Sequence, residues 1–245
     1  MVVTQHTAQF AGVEVPWIGA LLWWLFVLAV PIFLIGANVR AVTLSPATYS
    51  DGFEKYEAGR KTGLDEAQLR QVARAFIDFF QGSSRQLEVE VIRGGRSEPL
   101  FNEREIQHMA DVHTLMRVVF TGTQLAAAYL ILFVVVGSVL RRSAVLGSIA
   151  QGLLAGSALT LGLLVLVGLL SLLDFTTLFV RFHQLSFRND LWMLNPSRDA
   201  LLMLFPEGFW LDVTIRLAGM IAIEAAIIAA VGLGMWRLAP HPGID

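Results

Sequence analysis

Two histidines, His108 and His183, stand beside acids, amides and arginines at the ends of long apolar runs. In "FNEREIQHMADVHTLM", Asp111 follows His108 by three residues. On a helix this spacing puts both on one face, where a carboxylate can orient an imidazole. His183 lies in "RFHQLSFRND", directly after a long uncharged run. An imidazole accepts and returns protons near neutral pH, so both are candidates for general acid and base; the alternative is an interfacial polar role without chemistry.

The other histidines and one intramembrane acid are further candidates. His113 comes five positions after His108 and should point elsewhere, while His6 and His241 lie in tails. Glu224 is the single charge of the last apolar run, and it is either functional or a neutral carboxyl bonded to a neighbouring helix. The chain has no cysteine, which excludes disulfides and thiolate chemistry. Its net charge of −2 predicts no nucleic-acid partner.

Long uncharged runs indicate which parts of the chain face membrane lipid and which face water. The 245 residues are 55% hydrophobic and 16% charged, with a mean hydropathy of +0.62. A helix of roughly 20 apolar residues crosses a hydrocarbon core of about 30 Å, and hydrocarbon admits only helices or closed barrels. Four runs have this length and lack the alternation of barrel strands: residues 17–37, 118–140, 143–173 and 217–236. The sequence therefore predicts four transmembrane helices.

The segment 38–117 carries local signals of folded structure and is too long for a plain linker. In chain order these signals are a capping box at Asp65 and Gln68, a helix-ending glycine at Gly82, a hairpin turn at Gly94-Gly95 after alternating residues, and a second capping box at Asn102 and Glu105. The predicted fold class is an all-α membrane protein: four transmembrane helices with a small extracytoplasmic α+β cap.

The orientation follows from the basic residues beside the spans. Arg141 and Arg142 lie between spans two and three, and Arg237 follows span four, so the positive-inside rule puts both termini in the cytoplasm and the cap outside. Residues 1–16 contain no Lys or Arg, so span one is not expected to be a cleaved signal peptide. The predicted divisions are the tail and helix 1 (1–37), the cap (38–117), helices 2 and 3 (118–173), an interfacial segment of loop and short helix (174–214), and helix 4 with its tail (215–245).

Three motifs of this sequence resemble a known family. They are "YSDGFEKYEAGRKTGL", "LFNEREIQHMADVHTLM" and "FHQLSFRNDLWMLNPSRDALLMLFPEGFW". In this order they are similar to the bacterial four-span membrane proteins that include lipoprotein intramolecular transacylases. The resemblance implies a multi-pass protein of the bacterial cell membrane, with its active site where the helices meet the cap. Its partners would be a diacylated lipoprotein substrate and membrane lipid.

The resemblance also implies a reaction and its residues. The family enzyme moves the sn-2 acyl chain of the diacylglyceryl group to the N-terminal cysteine amine, giving a lyso-form lipoprotein. Its two catalytic histidines correspond to His108 and His183, and no cofactor or metal is expected. Beside them, Asp111 would orient His108, and polar substrate contacts are expected from Arg60, Asn189 and Tyr56. The substrate-lining residues would be Phe182, Phe187 and Trp192, although such aromatic residues also form plain interfacial belts.

Two other functions remain open on the sequence. A metal-dependent membrane hydrolase could use His108, Asp111 and His183 and could add His113, although His108 and His113 have poor ligand spacing and the sequence contains no HExxH-type signature. Elemental analysis of purified protein separates this hydrolase from metal-free acyl transfer. A non-enzymatic permease or partner-binding subunit could instead use Glu224 and the glycines of spans three and four. In that case changes at Glu224 would matter and changes at the histidines would not.

Overall fold

The computed structural model describes residues 9–10, 13–14, 16–84, 86–141 and 144–239. His6, His241 and Arg142 lie outside these described residues. Helices make up most of the chain, with two short antiparallel strand pairs. In chain order the elements are β1 (Gln9–Phe10), β2 (Val13–Glu14), α1 (Pro16–Thr43), α2 (Pro46–Lys55), α3 (Ala58–Thr62), α4 (Glu66–Gln81), β3 (Glu90–Arg93), β4 (Arg96–Pro99), α5 (Glu103–Arg141), α6 (Ala144–Ser186), α7 (Ala200–Leu204) and α8 (Glu207–Leu238).

Four of these helices are long and apolar enough to cross a membrane, namely α1, α5, α6 and α8. The predicted class of four-span helical membrane protein with a small α+β portion is therefore confirmed. All four helices extend beyond the apolar runs from which they were predicted. Helix α5 begins at Glu103 and helix α8 at Glu207, because polar residues at the ends of a membrane helix continue it without needing hydrocarbon.

The first of two compact units comprises Met1–Gly36, Thr121–Leu166 and Met220–Asp245. Its helices approach closely at small residues, as membrane helices commonly do. A Cβ atom built on Gly156 of α6 would lie 2.6 Å from Cβ of Val30 in α1. Two hydrogen bonds to carbonyl oxygens also join helices here: Trp23 Nε1 donates to that of Ser148 at 3.0 Å, and the Tyr129 hydroxyl to that of Leu22 at 2.6 Å.

The contact at Gly156 gives a testable prediction for stability. We expect Gly156→Ala to lower the free energy of unfolding by about 2 kcal/mol, because the added methyl overpacks the contact with Val30. Gly162→Ala is the matched control on the same helix, since a Cβ atom there meets nothing within 4 Å. Thermal unfolding in detergent measures both variants. Equal melting temperatures for the two variants would contradict the close packing.

The second unit comprises Ala37–Phe120 and Val167–Gly219 and has its own hydrophobic core. Aromatic rings dominate that core: Phe76 lies 5.0 Å from Phe205 and 5.9 Å from Tyr49, measured between ring centroids. The other large buried residues of the core are Phe53, Leu64, Phe79, Leu87, Leu100, Phe101, Met109, Leu201, Leu204 and Phe209. The core joins α2 and α4 to the segment around α7, which sequence reasoning had described only as loop and short helix.

The local signals of residues 38–117 are confirmed. Asp65 and Gln68 form the reciprocal capping box of α4, and Gly82 ends that helix with φ at 85°. Strands β3 and β4 pair antiparallel with Arg93 opposite Arg96, so Gly94 and Gly95 form a two-residue turn. Both have positive φ, at 58° and 78°, which glycine adopts without strain.

Helix α6 contains one break that the sequence reasoning missed. Asp174 has extended backbone angles (φ −163°, ψ 94°), and its carboxylate accepts hydrogen bonds from Thr177 N at 2.9 Å and Thr177 Oγ1 at 2.6 Å. Asp174 therefore caps a new helical segment, residues 175–186. The expected loop after residue 173 is helical as far as Ser186, and this segment carries His183.

Candidate active site

His108 lies in the second turn of α5, whose start is fixed by the predicted capping box. Asn102 N donates to Glu105 Oε2 at 2.9 Å, and Glu105 N donates to Asn102 Oδ1 at 3.1 Å. The other oxygen of Glu105 accepts a hydrogen bond from Leu201 N at 2.7 Å. Glu105 is 1% exposed and thus joins the start of α5 to the start of α7.

A second buried carboxylate supports the same junction. Asp199, which is 1% exposed, accepts hydrogen bonds from Asn195 N at 2.6 Å and from Asn102 Nδ2 at 3.0 Å, and it pairs with Arg198 Nε at 3.3 Å. Sequence reasoning missed this network because two of its hydrogen bonds, from Asn102 Nδ2 to Asp199 and from Leu201 N to Glu105, join segments far apart in the chain. Buried carboxylates are tolerated when such donors satisfy them.

His183 lies in the last turn of α6, where its Nδ1 is 2.8 Å from the carbonyl oxygen of Phe179. A carbonyl accepts hydrogen bonds, so Nδ1 carries the proton. In the neutral imidazole Nε2 is then unprotonated and free to act as a base. Sequence reasoning did not identify Phe179 as a partner of His183; its position one helical turn before His183 is the signal that could have identified this carbonyl.

The two imidazoles lie close together and are both buried. Their ring centroids are 6.1 Å apart, and His108 is 8% and His183 9% exposed. Phe187 contacts both rings, with its centroid 5.3 Å from that of His108 and 5.7 Å from that of His183. Trp192 and Phe182 contact His183 at 5.1 Å and 5.5 Å. All three predicted lining residues therefore surround the histidines, and Phe182 remains half exposed.

Asp111 makes a different hydrogen bond from the one expected. Its carboxylate accepts a hydrogen bond from Asn189 Nδ2 at 2.9 Å, whereas His108 Nδ1 is buried without a hydrogen-bond partner among the described residues. The amide of Asn189 takes the place expected for His108 as the partner of Asp111, because the segment after α6 folds back onto α5. Asp111 and Asn189 thus hold that segment, which also carries Phe187 and Trp192, against the helix of His108.

Arg104, which sequence reasoning did not name, lies one helical turn before His108 on α5. Its Nη2 donates to the backbone carbonyl of Asp190, next to Asn189. Arg104, His108 and Asp111 are spaced by four and three residues, which puts all three on one face of α5. The spacing of Arg104 one turn before His108 is the signal that could have found it.

Tyr56 and Arg60 have partners elsewhere in this unit. The Tyr56 hydroxyl donates to Asp212 Oδ2 at 2.6 Å, and Lys55 Nζ donates to the same oxygen at 2.6 Å. Burial first, and the bond to Asp212 second, raise the pKa of Tyr56. Arg60 is exposed and pairs with Glu57. Among the described residues, neither Tyr56 nor Arg60 shares a hydrogen bond or ring contact with either histidine.

The other candidate residues lie apart from the two imidazoles. The ring of His113 packs against Phe79 at 4.7 Å, so it points elsewhere as expected. Glu224 is half-buried, and it lies in the part of α8 that belongs to the first unit. Within the described part of the chain, no group of three or more His, Asp or Glu side chains is placed to hold a metal ion.

Comparison with known proteins gives one family and one solved fold. The family model described as "Lipoprotein intramolecular transacylase Lit" matches residues 24–210. The solved structure of the membrane-integral lipoprotein intramolecular transacylase Lit from Bacillus cereus is similar at a TM-score of 0.74 and 15% identity, covering 90% of this chain and 97% of that one. Its histidine-to-arginine variant is similar at a TM-score of 0.67 and 14% identity, covering 90% and 93%. No curated protein matches significantly.

Proposed function

The chain belongs to the lipoprotein intramolecular transacylase family of membrane acyltransferases, and from this we propose that it moves the sn-2 acyl chain of a diacylated lipoprotein to the α-amine of its N-terminal cysteine. The product is a lyso-form lipoprotein with an N-acyl group. The observation that carries the proposal is the pair of buried imidazoles, 6.1 Å apart and surrounded by aromatic rings.

His183 acts as the general base in this proposal. An α-amine with a pKa of about 8 is mostly protonated at neutral pH and must lose a proton to attack an ester. Because Nδ1 of His183 is engaged by the Phe179 carbonyl, its Nε2 is the atom that accepts this proton. The attack forms a carbon–nitrogen bond and moves the carbonyl electron pair onto oxygen.

His108 acts as the acid that releases the glyceryl group. The tetrahedral intermediate collapses when its carbon–oxygen bond breaks, and the departing glyceryl oxygen needs a proton. The two ring centroids are 6.1 Å apart, so both imidazoles can face one reacting centre. His183 takes a proton from the attacking nitrogen, His108 gives its own proton to the glyceryl oxygen, and transfer of the proton from His183 to His108 restores both histidines. Donor ester and acceptor amine belong to one molecule, so no covalent acyl-enzyme is needed.

The aromatic residues keep water from the ester, which water would otherwise hydrolyse. Phe187 covers both imidazoles, and Trp192 covers His183. Phe182 is half exposed beside His183, and we assign it to the path by which an acyl chain reaches the site from the lipid. Asp111 and Asn189 support this wall, because their hydrogen bond holds its segment against α5.

We also propose the orientation with both termini in the cytoplasm of a bacterial cell and residues 38–117 and 174–214 outside. The basic pair Arg141–Arg142 and the later Arg237 support it through the positive-inside rule. In this orientation His108 and His183 lie at the outer border of the membrane, where a lipid of the outer leaflet could reach them.

Purified protein with a synthetic diacylglyceryl-cysteine lipopeptide tests the function. Substrate and product are isomers of equal mass, so the readout is loss of the free α-amine together with fragmentation that places one acyl group on nitrogen. We expect conversion without added metal, and the same conversion after treatment with a chelator. An unchanged amine or release of free fatty acid would reject transacylation.

A further inference from the structure

Two of the buried polar atoms without a hydrogen-bond partner lie one helical turn apart beside the proposed site. Among the residues that the structure describes, these atoms are Thr48 Oγ1, Arg104 Nε, His108 Nδ1 and Ser157 Oγ. A buried N–H group without a partner costs about 1–3 kcal/mol, so such atoms in a native fold need an explanation. Two of them on one face of α5 indicate a polar partner that arrives with the substrate.

Arg104 combines a fixed donor with a free one. Its Nη2 donates to the Asp190 carbonyl, which holds the planar guanidinium in place, while Nε is buried and unbonded. Side chains of a helix lean toward its N-terminus, so the imidazole of His108 lies over the turn that carries Arg104. A guanidinium is positively charged at physiological pH, and its N–H groups form strong hydrogen bonds with an oxygen atom that gains negative charge during a reaction.

We propose that Arg104 is a substrate-binding donor of this site: its Nε–H hydrogen-bonds the carbonyl oxygen of the ester being transferred while Nη2 stays on the Asp190 carbonyl. This inference rests on the proposed transacylation and assigns a role that the two histidines leave open. When the amine attacks, the carbonyl electron pair moves onto this oxygen, and the bond to Arg104 strengthens as the charge develops. When the ester carbon–oxygen bond breaks, the carbonyl re-forms as an amide and the bond weakens.

Infrared spectroscopy tests the contact without relying on turnover. A lipopeptide labelled with ¹³C at the sn-2 ester carbonyl is bound to the His183→Gln protein, in which the proposed base is removed. We expect the labelled carbonyl stretch to move to lower frequency on binding, and to lose this shift when Arg104→Lys is added. A shift that is equal with and without Arg104, or no shift at all, would overturn the inference.

Kinetics of the otherwise native enzyme test the catalytic consequence. Lysine keeps the charge and can still reach the Asp190 carbonyl, but its single nitrogen cannot also place a donor at the position of Arg104 Nε. We therefore expect Arg104→Lys to lower kcat by about 10²-fold, as for loss of one oxyanion donor, with KM and melting temperature close to the parent values.

Arg70→Lys is the matched control, because Arg70 pairs with Glu66 on the exposed face of α4. It should retain the parent kcat. An Arg104→Lys protein with the same kcat as the parent enzyme would overturn the inference. So would a loss of kcat accompanied by a lower melting temperature and a raised KM, because that pattern is expected of a residue that only anchors the fold. Failure of the proposed function itself would be seen in the parent protein, as an α-amine that stays free, whereas the infrared shift reports on Arg104 alone.

Discussion

Replacing His183 by glutamine is expected to lower kcat for transacylation by about 10²–10⁴-fold, the usual contribution of a general base. Glutamine is chosen because its amide can still donate to the Phe179 carbonyl that His183 Nδ1 contacts, so the helical turn keeps its hydrogen bond. What glutamine lacks is a titratable nitrogen for the proton of the attacking amine. The measurement is single-turnover conversion of a diacyl lipopeptide, followed by loss of the free amine.

His113→Gln is the control for this prediction, since His113 packs against Phe79 rather than against the catalytic pair. It should convert substrate at the parent rate. His108→Gln should be impaired in the same assay, because the glyceryl oxygen then departs without its proton. If the His183→Gln and His113→Gln proteins were equally active, the two-histidine account would be wrong.

Replacing Asp199 by alanine is expected to produce the largest loss of stability. The carboxylate is 1% exposed and accepts hydrogen bonds from Asn195 N and Asn102 Nδ2, and the alanine variant loses both. Hydrogen bonds to a charged group contribute about 1.5–3 kcal/mol each, so we expect a loss of about 3 kcal/mol in total. For a chain of this size that corresponds to a melting temperature lower by about 6–12 °C.

Glu66→Ala is the control, because Glu66 is an exposed acid paired with Arg70 across one helical turn. Such surface pairs contribute about 0–1 kcal/mol. Asp199→Asn should fall between the two, since its remaining oxygen can still accept from Asn195 N. Thermal unfolding in one detergent compares all three. Equal melting temperatures for Asp199→Ala and Glu66→Ala would show that the buried network does not stabilise the fold.

The parts of this fold that the sequence predicts are those governed by local rules. Uninterrupted apolar runs identify the four long helices, and the capping boxes at Asp65 and Asn102 identify where α4 and α5 begin. The turn at Gly94-Gly95 identifies the hairpin. Each depends on residues within a few positions of one another, so no knowledge of distant contacts is needed.

The parts that it did not predict depend on contacts between distant segments. Helical spacing puts Asp111 near His108, but it could not show that Asn189 would take the carboxylate instead. Glu105 was expected only as a capping residue, and its bond to Leu201 N joins residues far apart in the chain. Asp174 caps a helix inside an otherwise continuous run, where a lone acid gave no reason to expect that the helix would restart.

A crossover experiment tests the central claim most directly. Two lipopeptides are mixed with the purified protein, one with a deuterated sn-2 acyl chain on a short peptide and one with an unlabelled chain on a longer peptide. Because ester and amine of a single molecule react within one site, the account predicts N-acylated products in which each peptide keeps its own acyl chain. Products that carry the other peptide's chain, or free fatty acid in place of N-acyl product, would contradict it.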